Sequence, residues 1–77
     1  DAEPIDLPVF VAGGGRDILV VPTLVDGLVD QLCGAGLDVE DRRYPDAGHG
    51  ATVDDSVADV HAWIAARLAG EPAPSSC

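Results

Sequence analysis

Two residues in this chain have the types and placement for acid–base chemistry. Asp17 follows the apolar run Val9-Phe10-Val11-Ala12 and the turn Gly13-Gly14-Gly15, and His49 stands between glycines in Tyr44-Pro45-Asp46-Ala47-Gly48-His49-Gly50. A carboxylate beside an imidazole makes two thirds of a nucleophilic relay. The imidazole takes the proton of an attacking hydroxyl, while the acid holds the tautomer and stabilises the imidazolium. Histidine suits the base role because its ordinary pKa lies near neutrality. The third member, a serine on a strained strand-to-helix turn, is absent: Ser56 falls in a helical stretch and Ser75-Ser76 in a terminal tail. Taken singly, Asp17 also reads as a turn acid bonding its own backbone, and His49 as a loop histidine. Their positions past the ends of consecutive strands favour the pair, since reactive groups of open parallel sheets gather outside the carboxyl ends.

The elements that must position them follow from periodicity. Leu7-Pro8-Val9-Phe10-Val11-Ala12 is a continuous apolar run, as in a strand covered on both faces, with Pro8 tolerable only at its start or edge. Pro22 opens a helix over residues 22–33, with Val21, Leu24, Val25, Leu28, Val29 and Leu32 forming a wide stripe and Gly34 and Gly36 as stop signals. Residues 37–44 make a weaker strand in which Leu37 and Val39 alternate with Asp38 and Glu40, as at a half-exposed sheet edge. Residues 46–51 read as the loop carrying His49. Thr52 and Asp55 resemble a capping box that starts a second helix, with Val53, Val57, Val60, Ile64 and Leu68 as its stripe and Gly70 as its end. Residues 1–7 read as a connection, and 71–77 as a tail that only an anchored Cys77 would hold down. The order strand–helix–strand–helix predicts an α/β fold built on a parallel, right-handed βαβ unit.

Composition narrows the partners. A net charge of −10, from 14 acids against four arginines and no lysine, excludes a phosphate-backbone footprint and argues against an anionic membrane surface. No stretch approaches the ~20 apolar residues of a spanning helix. The chain opens Asp1-Ala2-Glu3-Pro4 without methionine, basic region or apolar signal core, which fits a start within a longer protein or after processing. At 47% hydrophobic and a mean hydropathy of +0.18, it is rich in apolar residues for a domain this small, as if some faces were meant for a larger body. Cys33 and Cys77 are too few for a disulfide scaffold or a cysteine zinc site. They are placed either as one staple from a helix end to the terminal residue or as two unrelated thiols.

Other groups offer less. Gly13-Gly14-Gly15 lacks the spacing of a dinucleotide or phosphate loop, and His61 lies near the polar side of the second helix. Asp46, His49 and Asp54 have no recognisable metal-ligand spacing, and Trp63 reads as core. No cofactor or metal is implied.

At this point the chain resembles the carboxyl-terminal portion of an α/β-hydrolase, and more narrowly the secretory lipase family of actinobacteria. Asp17 with Val20-Val21-Pro22 resembles that fold's acid loop, and Gly48-His49-Gly50 its histidine loop. Leu32-Cys33-Gly34-Ala35-Gly36 with Val39 and Tyr44-Pro45 resembles the helix and last strand between them. Trp63-Ile64-Ala65-Ala66-Arg67-Leu68-Ala69-Gly70-Glu71-Pro72, ending at Cys77, resembles the family's terminal helix and cysteine-closed tail. The acid and histidine loops are shared across the superfamily; Cys33 and the terminal-helix pattern favour the lipase branch. The turn Gly13-Gly14-Gly15-Arg16 departs from the more mixed glycine turn expected there, and the nucleophile, oxyanion-hole and lid segments are absent.

The resemblance implies a βαβα fragment, with residues 1–77 forming part of a hydrolase domain and 71–77 its extended tail. It implies Asp17 as orienting acid and His49 as general base of a secreted serine esterase or lipase, inactive alone. It also implies a Cys33–Cys77 disulfide, and as partners an ester or lipid substrate and the remainder of the hydrolase domain. A second reading is a non-catalytic α/β module that binds a protein through an open side of its sheet.

Overall fold

A computed structural model describes residues 7–77, so the connection expected over residues 1–7 lies, apart from Leu7, outside the described residues. Four elements follow one another: β1 (Val9–Gly14), α1 (Pro22–Gly34), β2 (Val39–Tyr44) and α2 (His49–Leu68). β1 and β2 pair in parallel, with Val9 opposite Val39 and Gly14 opposite Tyr44. This is the expected βαβα order, with a helix on each face of a two-stranded sheet. A side chain leaves a strand on alternate faces. Val9, Val11 and Val39 therefore meet Val25, Val29, Leu32 and Cys33 of α1, while Phe10 turns the other way to meet Trp63 of α2 edge-on, ring centroids 6.0 Å apart.

Pro22 sits at the start of α1, where its missing N–H costs nothing. Both helices end on a glycine in the left-handed region, Gly36 at φ +85° and Gly70 at φ +81°. In each case the glycine N–H and the next residue's N–H return to carbonyls of the last turn: Gly36 to Cys33 and Leu37 to Leu32, Gly70 to Arg67 and Glu71 to Ala66. This is the glycine-terminated cap in which two orphan carbonyls are satisfied together.

Several boundaries differ from the expectation. β1 lies two residues later than the apolar run, because its ladder continues through Gly13 and Gly14. β2 begins at Val39, with Leu37 packed on the core from the turn before it. α2 begins at His49, so the histidine opens a helix instead of occupying a loop. The capping box at Thr52 does not form: Thr52 lies inside the first turns, where its Oγ1 donates 2.7 Å back to Gly48 O. Gly48 is the N-cap, with no side-chain cap at all.

The apolar stripes are the larger correction. α2 buries Thr52 and Ser56 and half-buries Trp63 and Arg67, whereas Val53, Val57, Ile64 and Leu68 of the expected stripe stand exposed, Leu68 at 84%. On α1, Val25 is covered but Leu24 and Leu28 are not. A two-stranded sheet is too narrow to reach under both helices, so only part of each apolar surface finds cover.

The tail is held by more than its last residue. Cys33 and Cys77 are bonded, Cα atoms 5.7 Å apart, and Arg67 Nη2 donates to Pro72 O at 3.0 Å. Ser76 N–H donates to Val39 O at 2.7 Å, and Ser76 Oγ accepts from Asp41 N–H at 3.0 Å. Ser76 thus covers the outer edge of β2 at Val39 and Asp41. Among the described residues, no helix is long and apolar enough to cross a membrane.

Candidate functional site

Asp17 and His49 meet. The turn after β1 is anchored from across the sheet: Gly15 N–H donates to Tyr44 O at 2.9 Å and Arg16 N–H to Ala47 O at 3.0 Å. That close approach explains two of the three glycines. A Cβ on Gly14 would collide with Thr52 Oγ1 and Ala47 O, and one on Gly15 with Pro45 O. The glycine turn is therefore pressed against the start of α2, which brings the acid to the histidine.

Asp17 is 6% exposed, and both its carboxylate oxygens are used. Oδ1 accepts the N–H groups of Leu19 at 2.9 Å and Val20 at 2.8 Å. Oδ2 lies 2.9 Å from His49 Nδ1. The backbone bond from Val20 holds the carboxyl below the usual carboxylate range, against the opposing effect of its burial, with His49 and Leu19 adding to the lowering. The backbone turn bonds and the contact with His49, expected as alternatives, are both made by this one side chain, one oxygen each. With Nδ1 facing a carboxylate, the ring carries its proton there, and Nε2 is left as the basic nitrogen. The His49 side chain is 53% exposed.

The pair lies on a cleft of about 190 Å³ at the carboxyl end of β1, lined also by Ala12, Gly13, Val20, Val53 and Ser56. Two hydroxyls reach its wall, and both are spent within α2. Thr52 Oγ1 bonds Gly48 O, and Ser56 Oγ donates to Val53 O at 3.1 Å. Ser56 also lies seven residues along the helix from His49, about 10 Å at 1.5 Å per residue. Ser76 bonds β2 at the opposite end of the sheet, and Ser75 Oγ accepts from Cys77 N–H. Among the described residues, Asp17 is the sole side chain hydrogen-bonded to His49.

The remaining polar groups are structural. Arg43 bridges Asp41 and Asp26, linking β2 to α1. Arg42 pairs with Glu40 and lies 3.5 Å from Asp59 of α2. Tyr44 donates to Asp59 at 2.6 Å, and burial together with that carboxylate pushes its hydroxyl up to about 12. Trp63 is half-buried between Phe10 and the Arg67 guanidinium, which lies 5.2 Å from its ring centre. His61 is exposed on α2. Among the described residues, no three histidines, cysteines or acids converge as a metal site.

The backbone bond expected of Asp17 as a turn acid is made, and the structure adds which N–H groups supply it, those of Leu19 and Val20. Comparison with protein-family models, curated proteins and solved structures returned no match.

Proposed function

We propose that this chain is the C-terminal part of a secreted serine esterase or lipase, supplying the acid and the base of a Ser-His-Asp relay whose serine lies outside these residues. The observation that carries the reading is the 2.9 Å contact between Asp17 Oδ2 and His49 Nδ1, with Asp17 locked by two backbone donors. In this mechanism His49 Nε2 removes the proton of a serine hydroxyl as its oxygen attacks an ester carbonyl. The resulting imidazolium is stabilised by Asp17 and returns the proton to the departing alcohol. Water, activated by the same nitrogen, then hydrolyses the acyl-enzyme. The fixed acid matters because it holds the imidazole in the productive tautomer before attack. The Cys33–Cys77 bond suits an oxidising compartment, and the exposed apolar side chains of α1 and α2 suit burial against the rest of a hydrolase domain.

The test is the coding sequence preceding Asp1, followed by the protein it encodes. An in-frame Gly-x-Ser-x-Gly between strand and helix patterns is expected. The longer protein should then hydrolyse p-nitrophenyl esters and be labelled by a fluorophosphonate, while the 77-residue chain does neither. No such serine upstream, or a longer protein whose esterase activity survives His49→Ala, would overturn the reading.

A further inference from the structure

His49 is the first residue of α2, and the helix start around it is intrinsically weak. Its N-cap is Gly48, with no side-chain cap, no acid lies in the first turn, and Gly50 follows. Glycine on both sides leaves this turn the most backbone freedom to lose. The side-chain oxygen that ordinarily pins a helix start is missing. The acid, by contrast, is fixed without the histidine. Asp17 N–H donates to Gly14 O at 3.3 Å, and Oδ1 takes the N–H groups of Leu19 and Val20. The 2.9 Å contact between the two therefore depends on what holds the backbone of His49.

Thr52 holds it. The carbonyl of Gly48 belongs to the planar peptide that joins Gly48 to His49, and Thr52 gives that oxygen two donors, its N–H at 2.9 Å and its Oγ1 at 2.7 Å. The preceding carbonyl, Ala47 O, takes Arg16 N–H at 3.0 Å. The peptides on both sides of Gly48 are thereby tied, one to the acid turn and one to α2. The hydroxyl is itself confined. Thr52 is 7% exposed, and its Oγ1 occupies the space that a Cβ on Gly14 would need. A β-branched side chain so enclosed keeps its χ1 rotamer. A threonine that bonds back one turn is ordinarily neutral or mildly unfavourable for a helix, and a buried hydroxyl costs more than a methyl of the same size. Helix stability alone therefore gives no reason for this choice, whereas the position of His49, three residues earlier on the same face, does.

We propose that Thr52 is a positioning residue for His49: its hydroxyl holds the Gly48–His49 peptide so that Nδ1 stays on Asp17 Oδ2. The imidazole then meets an attacking hydroxyl with its proton already on Nδ1 and Nε2 unprotonated, an alignment that fraying of the first turn would lose. Ser56 marks the contrast. It is equally buried on the same helix, but its hydroxyl bonds Val53 O, a carbonyl remote from the histidine's peptide. As an account of catalysis this rests on the hydrolase reading, whereas the geometry itself lies within the chain.

Nitrogen-15 spectra of the His49 ring in the 77-residue chain, at a pH where the ring is neutral, read its tautomer. A carboxylate on Nδ1 selects the Nδ1–H form, whereas an unpartnered imidazole favours Nε2–H. Thr52→Ala should lower the ratio of Nδ1–H to Nε2–H by about three- to tenfold, the usual weight of one neutral hydrogen bond. Thr52→Ser should restore it, and Ser56→Ala should leave it unchanged, with Trp63 fluorescence reporting that each variant is folded. Should Thr52→Ala fail to fold, Thr52→Val removes the hydroxyl while keeping the volume, with the same expectation. An unchanged ratio without the hydroxyl, no recovery in Thr52→Ser or an equal change in Ser56→Ala would overturn the proposal. So would a Thr52 hydroxyl proton that exchanges freely with water in the unmodified chain. In a longer protein active on p-nitrophenyl esters, Thr52→Ala should lower kcat on the order of tenfold with KM nearly unchanged, and an unchanged kcat would sink the catalytic role. A tautomer shift in the chain beside a longer protein with no esterase activity would instead overturn the hydrolase reading and leave the positioning of His49 by Thr52 standing.

Discussion

At the scale of the residue, Asp17 does two jobs that can be separated by substitution. Asp17→Asn keeps an oxygen for the Leu19 and Val20 N–H groups but loses the charge facing His49. Asp17→Ala loses both, leaving two backbone donors without their acceptor. Thermal melts should rank the wild type above Asn and Asn above Ala. In a longer protein carrying the serine, Asp17→Asn should lower kcat by about 10³–10⁴-fold, measured on p-nitrophenyl esters. The folded-state pKa of Asp17 is lowered, so the native state binds fewer protons than the unfolded one. Its contribution to stability is complete above the ordinary carboxylate value and is lost as pH falls through the folded value. Melts from pH 6 down to strong acid should show a smaller loss in Asp17→Asn than in the wild type, and parallel curves would exclude the linkage. Tyr44 offers the opposite sign. As the single tyrosine, it should titrate near 12 by ultraviolet absorbance, and Asp59→Asn should bring it down. Its contribution holds below the ordinary value of 10.0 and disappears as pH rises through about 12.

At the scale of the element, two glycines make opposite predictions. Gly14→Ala drives a methyl into Thr52 Oγ1 and the Ala47 carbonyl, where the opposing atom is partly backbone and cannot swing away. It should destabilise by about 1–3 kcal/mol, the usual cost of overpacking, and should also move His49 off Asp17. Gly27 lies in the exposed interior of α1, with nothing within 4 Å of an added Cβ. Gly27→Ala should stabilise by about 0.5–1 kcal/mol through helix propensity. Urea melts on the two variants check both signs. The periodicity of α1 and α2 located the helices well but misjudged what they bury. A stripe records which side chains avoid water in whatever a helix packs against, and among the described residues two strands lie beneath it. His49 was placed in a loop because Gly48 and Gly50 read as breakers. In the fold Gly48 is the N-cap and Gly50 is tolerated in the first turn, where packing of the acid turn overrides propensity.

At the scale of the whole molecule, the disulfide ties α1 to the tail across 44 residues. Loop-closure entropy for a span of that length is worth about 4 kcal/mol, so reduction should lower the melting temperature sharply. It should also release the Ser76 amide to fast hydrogen exchange, because its bond to Val39 O depends on the tethered tail. Sequence alone determined the strand–helix–strand–helix order, the glycine-terminated helices and the candidacy of Asp17 and His49. Each of these is encoded locally, by periodicity and by residues with special backbone or acid–base properties. The parallel pairing agreed because a crossover helix between two strands leaves little alternative. Only the tertiary structure decided that Oδ2 of Asp17 reaches Nδ1 of His49, that α2 starts at the histidine and that Ser76 bonds the start of β2. Those outcomes depend on ångström-scale approaches between segments distant in sequence, and no local pattern carries that information.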